Sequence, residues 1–214
     1  LEGVQFRNLM ALLKEKDIPC QFVPAERLNK IDRSGRSQGV VAYLAQIDYT
    51  PFEEAVENAF RKSDSPVFVM LDGVSDVRNL GAIARTAECA GVSAIILPAK
   101  GGAAINAEAI KVSAGALLRI DTCKTQNLRI PIYYLKERGF QIVAATEKTD
   151  SLIYEADFRK PTVIVMGSEG KGISDSVMKL CDLKVKIPMH GEIESLNVSV
   201  ATSVVLFEVV RQRI

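Results

Sequence analysis

Long apolar runs are absent from this chain, and so are an excess of one charge, paired cysteines and any histidine beyond His190. Without 18 consecutive apolar residues no membrane-spanning helix is read, and without a basic-then-apolar leader no signal peptide is read. Lysine and arginine total 27 against 26 aspartates and glutamates. Bulk charge therefore announces no polyanion, and any such partner must meet a local basic patch. Cys20, Cys89, Cys123 and Cys181 show neither CxxC nor metal-like spacing. They read as reduced thiols, buried filler in a cytosolic protein, so the expected location is cytoplasmic. His190 has the chemistry of a general base, yet no nucleophile or metal partner accompanies it. Serine hydrolase, zinc enzyme and paired-carboxylate glycosidase readings all lack their companions, and no metal is expected. No repeat or low-complexity segment occurs. The chain opens at Leu1 rather than Met, so its natural N-terminus is read as missing.

Two familiar nucleotide loops are missing as well. GSEGKGIS (Gly167–Ser174) invites a phosphate-loop reading, but that loop needs four residues between its first glycine and the Gly-Lys pair, then Ser or Thr. Here two residues separate Gly167 from Gly170, and Gly172 follows Lys171. The first strand of the larger domain runs into Asp72, Gly73 and Val74 instead of GxGxxG, which argues against the usual dinucleotide fold.

What is present is apolar residue in quantity, 48% of 214, enough for one full domain and a smaller one. LMALLKEKD (Leu9–Asp17) has helical spacing, Pro24–Ile31 reads as a short helix and GVVAYLAQI (Gly39–Ile47) as a strand. PFEEAVENAF (Pro51–Phe60) opens with Pro and Glu where a helix start favours them. The polar stretch KSDSP (Lys62–Pro66) breaks the pattern and sets the boundary between a small domain, 1–62, and a larger one, 63–214. Strands are predicted at Val67–Leu71, Ser93–Leu97, Phe140–Ala145, Thr162–Met166 and Leu183–Ile187. Helices are predicted at Leu80–Ala90, Ala107–Leu118, Pro131–Arg138, Ser174–Leu180 and Asn197–Arg211. The alternation predicts an α/β fold, a parallel sheet with helices on both faces. VSVATSVVLFEVV (Val198–Val210) is apolar almost all round, so it must be buried on more than one side. A homodimer through this C-terminal helix is expected, two-fold dimers being the commonest oligomers.

Three segments place glycine and polar residues at or beyond strand ends: NLGAIARTAECAGV (Asn79–Val92), VIVMGSEGKGIS (Val163–Ser174) and IPMHGEIESLNVSVAT (Ile187–Thr202). Glycine there lets the backbone turn sharply or approach a ligand. One site built from loops at the ends of parallel strands is expected. Each residue also has a plainer reading. Asn79 could cap a helix, and Arg85 could pair with Glu88. Arg85 also sits among Ala82, Ile83, Ala84 and Ala87, a small-residue surface from which its fork could grip a phosphate or carboxylate. Glu169 could be a solvated carboxylate, and Ser195 and Asn197 could cap the last helix. Residue types alone leave both readings open.

Together the three segments resemble the SpoU (TrmH-like) family of RNA ribose 2′-O-methyltransferases within the SPOUT class. NLGAIARTA (Asn79–Ala87) is similar to its first motif, VMGSEGKGIS to its second and IPMHGEIESLNVSVAT to its third. RSQGVVAYL (Arg36–Leu44) is similar to the end of the L30e-like substrate-binding domain that precedes the catalytic domain, here incomplete at its front. The ending SVVLFEVVRQR (Ser203–Arg213) is similar to members acting on a guanosine ribose of 23S ribosomal RNA.

The resemblance implies a C-terminal deep trefoil knot, an exception to the rule against threaded chains, with S-adenosylmethionine bent inside it. It implies that Gly167, Ile187 and Leu196 contact that cofactor, with Met166, Met189 and Gly191 beside them. Asn79, Arg85, Glu169, Ser195 and Asn197 fall on the family's active-site positions. Methyl transfer to a ribose hydroxyl is an in-line displacement in which positioning supplies much of the rate, and the hydroxyl needs its proton drawn away. Arg85 would bind the adjacent RNA phosphate, a phosphate oxygen being an easier proton acceptor than a guanidinium of pKa above ~12. Asn79 and Glu169 would orient Arg85 and the ribose, with Ser195 and Asn197 shaping the site. Arg27, Lys30, Arg33 and Arg36, with Lys100 or Arg119, are candidates to track an RNA backbone. Rival expectations are a transfer RNA substrate, a non-catalytic RNA-binding homologue, and a small-molecule nucleotide enzyme on an ordinary doubly wound sheet.

Overall fold

The computed structural model describes residues 4–15, 20–32, 37–42, 47–193 and 195–214. The chain divides into two compact units, Leu1–Ala45 and Gln46–Ile214. In the small unit, helix α1 (Val4–Glu15) starts earlier than its apolar spacing suggested, and helix α2 (Ala25–Ile31) follows Pro24. The Phe6 and Phe22 rings meet edge to face, centroids 6.3 Å apart. Of the expected strand Gly39–Ile47, residues 43–46 lie outside the described residues, and 39–42 with 47 are in no strand. Arg33 and Arg36 also lie outside the described residues.

Six strands form the sheet of the large unit: β1 (Val67–Asp72), β2 (Ala94–Pro98), β3 (Asp121–Thr125), β4 (Gln141–Ala145), β5 (Thr162–Gly167) and β6 (Leu183–Val185). Their order is β3-β2-β1-β5-β4-β6 and every pairing is parallel. Successive side chains of a strand point to opposite faces, and here both faces are covered. Val67, Val69 and Leu71 of β1 join Ile164 and Met166 of β5 in one cluster, with helices α4 (Val77–Cys89) and α8 (Val198–Gln212). Phe68 and Met70 join Val163 and Val165 in the other, with α3 (Phe52–Lys62), α6 (Arg129–Glu137) and α7 (Asp175–Met178). Burying each such Val, Leu or Phe contributes about 1.5–3 kcal/mol, which explains the near-continuous apolar runs of β1 and β5. The parallel sheet with helices on both faces agrees with expectation.

Several bounds differ, each for a physical reason. β3, DTCKT, was not expected, because it is an edge strand with only Thr122 and Cys123 buried. Its outer side is partly covered by Thr50, whose N–H donates to the Thr122 carbonyl at 2.9 Å and whose hydroxyl donates to Asp121 at 3.0 Å. α3 buries Ala55, Val56 and Ala59 against the sheet, so the compact unit begins upstream of the polar stretch at 62–66. The helix expected over Ala107–Leu118 is broken: α5 (Ala107–Val112) stops short, Ala114 and Gly115 turn to φ 51° and 85°, and a one-turn helix follows at Ala116–Leu118. Gly81 of α4 faces α5, where a Cβ would lie 2.7 Å from that of Val112 and 2.8 Å from the Ala109 carbonyl. That contact explains the glycine of the first motif. The filler reading of the cysteines needs correction. Cys20 and Cys89 are exposed, and Cys89 lies on the solvent side of α4, one turn beyond Arg85. Burial pushes the Cys123 thiol up to about 12 and the Cys181 thiol up to about 11.

Candidate active site

Ligands of open α/β sheets sit at the carboxyl ends of strands, where strand order reverses. In this sheet the chain runs outward from β1 through β2 to β3, then crosses over to β4, so the reversal lies between β1 and β5. β5 ends at Gly167, and the chain folds straight back: Ser168 N–H donates to the Gly172 carbonyl at 3.2 Å and Gly172 N–H to the Ser168 carbonyl at 2.9 Å. This turn crosses the strand end so closely that a Cβ on Gly167 would lie 2.2 Å from the Gly172 carbonyl carbon and 2.3 Å from the Ile173 nitrogen. Only glycine fits. Ser174 N–H donates to Asp72 Oδ2 at 2.8 Å, tying the turn to the end of β1. Glu169 is thereby carried at the tip, exposed.

Two helix starts meet that carboxylate. Asp76 caps α4, its Oδ1 accepting from Arg78 and Asn79 N–H at 2.8 Å each. Asn79 is therefore not the cap, and its amide is free for other work: Nδ2 donates to Glu169 Oε1 at 3.2 Å. Asn197 does cap α8, its Oδ1 accepting from Ser199 N–H at 2.9 Å. Its Nδ2 donates to Glu169 Oε1 at 2.6 Å and to Asn79 Oδ1 at 3.0 Å. Three residues from three segments, 118 positions apart at the extreme, thus close a hydrogen-bonded triangle.

Beside the triangle opens a cleft of about 980 Å³, lined from the loops after β4, β5 and β6. All six residues expected against the cofactor line it: Met166, Gly167, Ile187, Met189, Gly191 and Leu196. Glu169, Ser195 and Asn197 line it too. Arg85 does not. It is exposed on α4 and makes no hydrogen bond or ion pair among the described residues, so no bond joins it to Asn79 or Glu169. Glu88 faces Arg119 at 3.9 Å instead. His190 is exposed and outside the cleft lining. Arg27, Lys30 and Lys100 are exposed. Among the described residues no three His, Cys, Asp or Glu side chains gather as a metal site requires. Sequence reasoning missed the cleft wall at Thr146, Glu147, Lys148 and Leu152, which follows β4 without glycine and so carries no turn signal. It also missed Ser199, whose hydroxyl donates to Asn197 Oδ1 at 2.6 Å.

Residues 66–207 match the model of the SpoU rRNA methylase family. The chain belongs to the SpoU rRNA methylase family. Residues 2–50 match a second model, described as RNA 2′-O ribose methyltransferase substrate binding. A relative of this SpoU chain, the 23S rRNA (guanosine-2′-O-)-methyltransferase RlmB of Pseudomonas aeruginosa, is 42% identical over 180 residues, covering 84% of this chain and 72% of the relative. An uncharacterized tRNA/rRNA methyltransferase of Synechocystis is 35% identical over 210 residues, 98% of this chain but 55% of that one. The SpoU chain thus spans about half the length of the cyanobacterial relative. Among solved structures, the AdoMet-bound rRNA methyltransferase of Sinorhizobium meliloti superposes with a TM-score of 0.79 at 29% identity, over 90% of this chain and 71% of that one.

Proposed function

We propose that this SpoU chain transfers a methyl group from S-adenosylmethionine to a ribose 2′-hydroxyl of RNA, with a guanosine of 23S ribosomal RNA the first candidate. The observation that carries the reading is the triangle of Asn79, Glu169 and Asn197 at the mouth of a cleft lined by all six expected cofactor residues. The cleft suits the donor in size. Gly191 has open space where a Cβ would stand, while Met166, Ile187 and Leu196 offer apolar walls. When bound, S-adenosylmethionine supplies an electrophilic methyl on a sulfonium whose departing thioether needs no proton and no metal. The residues of the chain do the rest by position. Ser195 and the triangle hold the ribose hydroxyl at the cleft mouth. Arg85, exposed and without a partner among the described residues, binds the neighbouring RNA phosphate, and an oxygen of that phosphate takes the hydroxyl proton.

The finer architecture follows the same reading. The tight crossing at Gly167 and the return of the loop after β6 to the same end of the sheet support a deep trefoil knot. The match over residues 2–50 supports an L30e-like substrate-binding domain that contributes Arg27 and Lys30 to RNA contact. On α8, Val200 and Phe207 are 48% and 52% exposed on one stripe, which supports a homodimer through that helix. No helix among the described residues is long and apolar enough to cross a membrane, in keeping with a cytoplasmic enzyme. The test is transfer of labelled methyl from S-adenosylmethionine to ribosomal RNA and to transfer RNA, with the 2′-O-methyl position mapped. Arg85→Ala is expected to lower transfer at least a hundredfold while donor affinity and Tm stay at wild-type values. Full turnover by that variant removes Arg85 from the mechanism. Methylation of transfer RNA alone reassigns the substrate, and donor binding without transfer to either RNA favours the non-catalytic homologue.

A further inference from the structure

This inference rests on that reading and concerns how the triangle is kept in working order. We infer that Ser199 is a positioning residue that sets the orientation of the Asn197 amide and, through it, of Asn79 and Glu169. An asparagine amide turned end over end keeps its shape but exchanges donor for acceptor. For Asn197 the reversed amide would aim Oδ1 at the Glu169 carboxylate and at Asn79 Oδ1, replacing two attractions by oxygen–oxygen repulsion. Ser199 selects against it. Its N–H and its hydroxyl both donate to Asn197 Oδ1, at 2.9 and 2.6 Å. Nδ2 is thereby left to donate to Glu169 Oε1 and to Asn79 Oδ1. Asn79, now accepting through Oδ1, has only Nδ2 to offer Glu169, and does so. The sequence of choices ends with both amides on Oε1, while Oε2 accepts nothing from the described residues and stays open to substrate.

A helix cap needs only the backbone donor at position 199. The hydroxyl adds a second donor to the same oxygen. The seam beneath is fixed as well. Thr86 Oγ1 and Ser203 Oγ lie 3.0 Å apart, and Ser203 Oγ donates to the Ser199 carbonyl at 2.8 Å. Asn79 therefore stands opposite Asn197, and Thr86 opposite Ser203, about two turns further along both helices. α4 and α8 run in the same direction with their starts in register.

Two measurements on the intact protein test the inference. The side-chain ¹⁵N amide resonances of Asn79 and Asn197 read the lock with no substrate present. One sharp pair per residue is expected in wild type and in Ser199→Thr, with shifted and broadened pairs in Ser199→Ala. Unchanged resonances in Ser199→Ala overturn the inference even if the protein methylates no RNA, an outcome that would separately sink the functional reading. In methyl transfer, Ser199→Ala is expected to lower kcat about tenfold, the size of one hydrogen bond, with KM for RNA and Kd for S-adenosylmethionine unchanged. Ser199→Thr restores kcat to within about twofold on the same argument. In an Asn197→Ala background Ser199→Ala is expected to cost nothing more, since it acts only through Asn197. Losses that multiply in the double variant, or that follow Tm and resist rescue by threonine, overturn it.

Discussion

The two ends of helix α8 do opposite jobs at opposite edges of the same central strands. At its start, Asn197 joins Glu169 and Asn79 beside the carboxyl ends of β1 and β5, and the three groups bond mainly to one another next to an open cleft. About 22 Å away along the helix, its end is bolted to the backbone before those strands. Arg213 donates to the carbonyls of Phe158 and Lys160 at 2.8 Å each, and to that of Ser65. Gln212 accepts from Phe158 N–H at 2.9 Å and donates to the Ala156 carbonyl at 3.0 Å. Burial pushes the Arg213 guanidinium below its usual value, a desolvation that the three carbonyl bonds offset. On the proposed reading, the contrast separates polar groups that serve the fold from those that serve a ligand. At one edge Arg213 and Gln212 reach the backbone of Ser65, Ala156, Phe158 and Lys160. At the other, Glu169 Oε2 and Arg85 are left without a partner among the described residues.

The sharpest way to break this contrast is at the open edge. Gly167→Ala puts a Cβ within 2.2 Å of backbone that cannot step aside without undoing the Ser168–Gly172 turn. Stability should fall by more than about 3 kcal/mol, and affinity for S-adenosylmethionine should fall at least a hundredfold, measured by denaturant unfolding and calorimetry. Retained donor affinity in a folded variant would show that the crossing at the end of β5 does not shape the cleft. The next change is at the bolted edge. Arg213→Ala leaves three carbonyls without their shared donor and should cost about 2 kcal/mol of stability, with donor affinity unchanged. If affinity drops as steeply as stability, the two ends of α8 are coupled and the division of labour is wrong.

How far the sequence reaches also divides along these lines. Strands with uninterrupted apolar runs, such as VFVML and VIVM, are legible because burial on both faces favours apolar residues throughout. β3 is not, because Asp121 and Lys124 look outward from an edge and leave only two buried positions. The motif glycines point to tight places, and Gly81 and Gly167 do stand where a Cβ would collide. Partnership is another matter. Local reasoning gives Asn79 a cap it does not form, since α4 starts earlier, at Val77, with Asp76 as its cap. That Asn79, Glu169 and Asn197 meet depends on β1 and β5 lying side by side, a long-range pairing with no local signature. The wall at Thr146, Glu147, Lys148 and Leu152 escapes notice because no glycine marks it.

A smaller effect separates the buried side of α8 from its exposed end by pH. Glu208, 6% exposed, accepts from Arg211 Nε and Nη2 at 2.8 Å each and from Gln212 at 2.7 Å. The Arg211 hydrogen bonds come first among the causes that hold its carboxyl below the usual range; burial opposes them and the Gln212 bond adds to them. A carboxyl lowered in the folded state contributes stability that is fully present above its unfolded value of about 4.3 and is lost as pH falls through the folded value. Glu208→Gln keeps a hydrogen-bonding side chain of the same length but removes the charge, so it should melt below wild type at pH 6. The gap should narrow as pH drops below about 4 and close once the wild-type carboxyl is protonated. Methyl-donor affinity at neutral pH should be the same in both, because Glu208 lies on the bolted half of α8. A melting gap that persists unchanged to pH 3 would mean the packing of this side chain matters and its charge does not. Arg211 would then be a solvated end group, and Gln212 with Arg213 would be the whole of the fastening at that edge.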